Sequence, residues 1–87
     1  MKCNITFRNL DHTPALDEKI KQKSEKLNKF FGEDAHIDWI CWVQREDQFA
    51  EVKVQDGKKH YNALANSDNL YKTIDMAIDK IQNQIKK

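Results

Sequence analysis

The sequence predicts an α+β domain of order β-α-β-β-β-α, a four-stranded sheet with two helices packed on one face. Three observations carry that expectation. Apolar residues alternate with polar ones in Lys2–Arg8 and again from His36 to Ala65, the period of a half-buried strand. They recur at helical spacing in two other stretches, Pro14–Phe31 and Leu70–Ile85. The chain has 87 residues, and a domain of that size buries only about 60–65% of its unfolded surface. A thin core of one sheet with helices on one side suits it best. No repeat, linker or low-complexity run divides residues 1–87, which are expected to form a single domain.

Each element has its own warrant. In Lys2–Arg8, the side chains of Cys3, Ile5 and Phe7 fall on one face and those of Asn4, Thr6 and Arg8 on the other. Thr13-Pro14 reads as an N-cap followed by proline at the first helical position. Leu16, Ile20, Leu27 and Phe31 then form an apolar stripe, with Ser24 its weak member and Phe30 at its edge. Gly32 stands where a left-handed residue would close this helix. From His36, Ile37, Trp39, Cys41 and Val43 alternate inward, which leaves Ile40 and Trp42 on the uncovered face. Arg45-Glu46-Asp47-Gln48 is polar enough for a hairpin tip, and Ala50, Val52 and Val54 are the inward set of a third strand. Asp56-Gly57 signals a two-residue turn into a fourth strand, Lys59–Ala65, with Tyr61, Ala63 and Ala65 inward. Ser67, Asp68 and Asn69 can each cap the last helix, whose stripe is Leu70, Ile74, Ala77, Ile78, Ile81 and Ile85. Thr73, Met76, Lys80, Gln84 and Lys87 are expected on its outer, partly basic face. Lys86 and Lys87 end it where the helix dipole favours cations.

Composition excludes several classes. Hydrophobic residues make up 39% of the chain and charged residues 33%, the balance of a globular rather than a disordered chain. No run approaches about 18 apolar residues, and Met1-Lys2-Cys3-Asn4 leads into no signal-peptide core, so a cytoplasmic protein without a membrane partner is expected. Cys3 and Cys41 fit the inward alternation of their strands and are expected to be buried, reduced and free of metal. His12, His36 and His60 show no ligand spacing beside them. Asp75 and Asp79, flanked by Lys72 and Lys80, read as a solvated charge ladder rather than an acid–base pair. Both glycines are absorbed by turns, and no nucleophile–base grouping emerges. Neither an enzyme nor a protein with a cofactor or small-molecule substrate is expected.

The net charge of +1 conceals a division. Pro14–Phe31 carries five lysines against three acids and Asn69–Lys87 four against two, so the remainder of the chain is net negative. Lys19, Lys23 and Lys26 fall on one flank of the first helix at i, i+4 and i+7. Lys80 and Lys87 lie beside the stripe of the last. If the helices pack side by side, these flanks are expected to converge over the groove between them. Ammonium groups suit phosphate, and open sheets carrying helices recur among domains that read RNA by shape.

The residues also resemble a known family nearly end to end. The resemblance runs through Asn4-Ile5-Thr6, Ala15-Leu16, Lys23 with Lys26-Leu27, and Phe31. It is most specific in Leu70-Tyr71, Ile74-Asp75, Ile78-Asp79-Lys80 and Gln84. The family is that of the ribosome hibernation-promoting factors, also called ribosome-associated inhibitors or sigma-54 modulation proteins, in their short form. The resemblance implies a domain, monomeric when free, that binds the small ribosomal subunit and its rRNA in the channel where messenger and transfer RNA meet. There it would silence idle ribosomes in stress or stationary phase. With the lysine flanks it makes Lys19, Lys23, Lys26, Lys80, Lys86 and Lys87 the candidate RNA-binding residues. Asn83 departs from the family pattern by standing where many relatives carry arginine, and the hairpin between the second and third strands looks a few residues short. The sequence stops at Lys87, so neither the basic tail of some short forms nor the second domain of long forms is expected. Two alternative readings are a generic double-stranded-RNA-binding domain and a protein-interaction module, including polymerase-factor modulation, working through Ile40 and Trp42.

Overall fold

A computed structural model describes residues 1–86. The elements run β1 (Lys2–Arg8), α1 (Pro14–Glu25), β2 (His36–Gln44), β3 (Asp47–Asp56), β4 (Lys59–Ser67) and α2 (Leu70–Ile85). The strands lie in the order β1-β2-β3-β4, with β1 parallel to β2 and the other two pairs antiparallel. Both helices cover one face. α2 packs across β3 and β4, while α1 lies against α2 and over the β1 side. Between sheet and helices sits a core in which Trp39, Ile20, Leu27, Ile37, Ile74 and Ile81 are fully enclosed. The α+β fold class and element order are those the sequence predicts.

Local chemistry explains the helix starts. Thr13 Oγ1 accepts the Leu16 N–H at 3.1 Å, with Pro14 at the first helical position. Asn69 Oδ1 does the same for the Tyr71 N–H at 2.8 Å. Each cap gives an otherwise orphaned backbone donor a partner and typically contributes about 1 kcal/mol.

The helix ends and turns differ from expectation in instructive ways. α1 stops at Glu25 and continues as tighter turns, in which the N–H groups of Lys26, Leu27, Asn28 and Phe30 bond three residues back. Gly32 is not its left-handed cap, because its N–H is taken by Asp56 Oδ2 at 3.0 Å, across the fold. Asp56 pairs with Lys59 and ends β3, so the two-residue turn is Gly57-Lys58 rather than Asp56-Gly57. Gly57 there has φ +61°, a conformation that suits a residue lacking Cβ. The β2–β3 turn is only Arg45-Glu46, and Arg45 itself adopts φ 58°.

Three burial expectations are corrected. Val43 is exposed: β1 ends at Arg8 opposite Trp42, so Val43 has a strand neighbour on one side only. Cys3 is only half-buried, since β1 is the edge strand, whereas Cys41 is fully enclosed. Thr73, assigned to the outer face of α2, is wholly buried, and its Oγ1 donates to Gln48 O (2.9 Å) or Asn69 O (3.0 Å). On the uncovered face Ile40 and Trp42 are half-buried. Trp42 gains that cover from its cross-strand partner Phe49, whose ring stacks on the indole at 5.3 Å and 2°.

Candidate nucleic-acid interface

The flank of α1 that faces α2 carries Lys19, Lys23 and Lys26. The core stripe of Leu16, Ile20, Ser24 and Leu27 turns the other side of the helix into the protein, which fixes where these lysines emerge. They meet Asp75 of α2. Lys23 Nζ lies 3.0 Å from Asp75 Oδ1, and Lys19 Nζ lies 3.4 Å from the same oxygen and 3.5 Å from Oδ2. Oδ1 is shielded from solvent yet has no aligned hydrogen-bond donor among the described residues, so charge rather than bond geometry holds Lys23 to it. Lys26 is exposed, and among the described residues no acid lies within ion-pair distance of it.

The titration behaviour follows this crowding. Partial burial pushes the Asp75 carboxyl up, but the closeness of Lys23 and the charge of Lys19 outweigh that and leave it below the usual carboxylate value. Contact with Asp75 raises Lys23. The nearby ammonium of Lys23 lowers Lys26, the effect of like charges held together. Two cations therefore share one close carboxylate, and a third stands beside them. That is a locally positive ridge at the helix–helix junction.

The remaining candidates are placed elsewhere. Lys80 does not converge on this ridge: it lies on the opposite flank of α2, where its Nζ donates to Leu64 O of β4 at 2.7 Å. Gln84 on the same flank donates to Asn62 O at 2.6 Å and accepts the Asn62 N–H at 3.4 Å. The reason is rotational. Thr73, Lys80 and Gln84 share one side of α2, and burial of Thr73 beside β3 turns that side toward the sheet. Lys86 is exposed at the C-cap of α2, and Lys87 lies outside the described residues. Lys21, on the far flank of α1, pairs with Asp17 at 2.8 Å and stands apart from the ridge. Sequence reasoning took Asp75 as part of a solvated ladder with Asp79 and, by family resemblance, as a largely structural position of the last helix, and did not reach its pairing with the lysines of α1. The signal was present: an acid within the last-helix motif at the position that faces the first helix.

Among the described residues no group of three or more His, Cys, Asp or Glu side chains is arranged to hold a metal, and no helix is long and apolar enough to cross a membrane.

An open four-stranded sheet with two helices on one face and lysines raised along the helix junction defines a class of small α+β domains that present charge from their helical layer. Residues 3–87 match the family described as Sigma 54 modulation protein / S30EA ribosomal protein, and the chain belongs to that family. The ribosome hibernation promoting factor of Klebsiella oxytoca is 30% identical over 87 residues, covering all of this chain and 92% of that protein. Two solved structures share the fold. The Thermus thermophilus Protein Y N-terminal domain superposes with a TM-score of 0.90 at 22% identity, covering 99% of this chain and 97% of that one. A ribosomal subunit interface protein from Coxiella burnetii superposes at 0.86 with 24% identity, covering 99% and 94%.

Proposed function

We propose that this chain is a ribosome hibernation factor that binds the small ribosomal subunit at the channel for messenger and transfer RNA and inhibits translation in stress or stationary phase. Its family and the name of its Klebsiella relative support the ribosomal setting. The observation that carries the docking face is the pairing of Lys19 and Lys23 with Asp75 and the closeness of Lys26 to Lys23. Ammonium groups displace counterions from phosphate, so such a ridge binds a polyanion without reading bases. Lys86 lies at the exposed end of α2 and extends the positive surface. Lys80 contributes at the border, from the β4 side.

The test is co-sedimentation with ribosomes from stationary-phase extract, paired with translation assays. Changing Lys23 and Lys26 together to glutamate should abolish both association and inhibition while the protein stays folded. Changing Trp42 to alanine should leave both intact. The opposite pattern would move the function to the open sheet face and its Trp42–Phe49 stack. Binding by the unaltered protein should also weaken steeply with salt, and each lost lysine contact should reduce the slope of log affinity against log salt by roughly one.

A further inference from the structure

An acid at the centre of a surface meant for phosphate is unexpected. Asp75 is shared by Lys19 and Lys23, the two enclosed lysines of the ridge, whose side chains are 25% and 23% exposed. We propose that Asp75 is an internal counterion: in the free protein it holds the anion position between Lys19 and Lys23 that an RNA phosphate takes on binding. This rests on the reading of the ridge as the ribosome-binding surface and adds what regulates its affinity.

Carboxylate and phosphate oxygens offer an ammonium group the same kind of charged acceptor. Lysine is a point charge on a flexible stem, so its head group can move from one acceptor to another without rebuilding the helix. The Lys23–Asp75 contact has no aligned hydrogen bond to lose, and partly exposed ion pairs of this sort hold weakly. Lys26, crowded by Lys23 and without a close acid among the described residues, remains a free cation at which a phosphate can first arrive. A lone phosphate must then compete with Asp75 for the other two lysines. RNA that presents several phosphates along the ridge wins that competition, and a sparse or mismatched polyanion does not. Asp75 thus lowers affinity in general and raises discrimination.

The experiment measures the affinity of the full chain for purified small ribosomal subunits across a salt series. Asp75→Asn should bind about three- to tenfold tighter at low salt, the range expected from releasing two weak ion pairs. Its salt slope should steepen by roughly one, as a freed lysine gains a phosphate. Asp75→Glu, which keeps the charge, should bind like the unaltered protein. Asp79→Asn removes the same charge from an exposed residue that has no ion pair among the described residues and reaches Lys26 only at longer range, so it should raise affinity by clearly less than Asp75→Asn does. Placing Lys19→Gln in the Asp75→Asn chain should cancel most of the gain. Unchanged or weaker binding by Asp75→Asn, with that variant still folded under the assay conditions, would overturn the counterion role. So would a gain equal to that of Asp79→Asn, or one that survives Lys19→Gln. Lys23→Glu/Lys26→Glu in the same assay separates the two levels: if that variant binds normally the ridge is the wrong surface. If it fails to bind while Asp75→Asn is unchanged, only the counterion falls.

Discussion

Trp39 donates its indole N–H to Ser24 Oγ across 2.9 Å, and the Ser24 hydroxyl in turn donates a hydrogen bond to the Ile20 carbonyl at 2.7 Å. Ser24 is the one hydroxyl in the buried stripe of α1, and this pair explains it. The largest side chain of the core carries a polar N–H, which must find an acceptor once buried. Replacing Ser24 by alanine strands that N–H and should destabilise the fold by about 1–3 kcal/mol. Urea unfolding checks it, and a change within about 0.5 kcal/mol would show the bond to be dispensable.

Arg45 holds φ 58° in the two-residue turn between β2 and β3. A left-handed backbone costs an L-residue roughly 1–2 kcal/mol, while glycine's extra unfolded-state freedom costs roughly 0.5–1. Arg45→Gly should therefore stabilise the protein slightly, by up to about 1 kcal/mol, visible as a rise of a few degrees in Tm. A fall in Tm would mean that the arginine side chain makes a contribution larger than the strain.

The two cysteines should behave differently toward an alkylating reagent. Burial pushes the Cys41 thiol up to about 12, so it should resist modification until the protein unfolds. Cys3, half-buried on the edge strand and raised less, should react slowly in the folded state. Cys41→Ser should cost about 1–3 kcal/mol, because it places a hydroxyl in an apolar layer. Mass spectrometry after timed alkylation reads the order of reaction, and stoichiometric zinc in the purified protein would contradict the picture of two free thiols.

The ion pairs at Asp75 carry a pH signature. Its folded-state carboxyl is held below the ordinary value, with burial opposing and Lys23 and Lys19 prevailing. A depressed acid contributes stability above its unfolded pKa of about 3.9, and that contribution fades as pH falls through the lower folded value. The stability difference between the unaltered protein and Asp75→Asn should therefore be flat from neutral pH to about pH 5 and shrink below about pH 4. Denaturation curves at stepped pH measure it. A difference that grows on acidification would reverse the assigned sign.

Lys80 and the α1 lysines should separate by mutation. Lys80→Glu removes a bond to Leu64 O on β4 and leaves the Asp75 cluster untouched, so its effect on ribosome binding should be several-fold smaller than that of Lys23→Glu/Lys26→Glu. Parallel binding curves decide this, and equal losses would place the β4 side within the contact surface.

The fold was legible because periodicity and capping agree along the chain: Thr13-Pro14, Asn69 and the isoleucines of α2 all stand where the sequence predicts. What it hid depended on partners distant in sequence. Gly32 reads as a cap until Asp56, 24 positions away, takes its N–H. Lys80 reads as part of a converging basic flank until burial of Thr73 fixes the rotation of α2. Asp75 reads as solvated until α1 is laid beside it. That Lys19, Lys23 and Lys26 share a flank was legible from spacing alone, because that flank is set by a stripe on their own helix. Their counterion was not, because it belongs to another.

The bonds from Lys80 and Gln84 to Leu64 and Asn62 have a consequence for solubility. β4 is an outer strand of the sheet, and the outward backbone groups of such a strand invite pairing with another chain. Here Leu64 O and both backbone groups of Asn62 are already engaged by side chains reaching down from α2, with a positive charge beside them. A strand from a neighbouring molecule would have to displace these bonds before forming its own. Crowded together in a cell, copies of this protein meet a β4 edge already occupied at its middle.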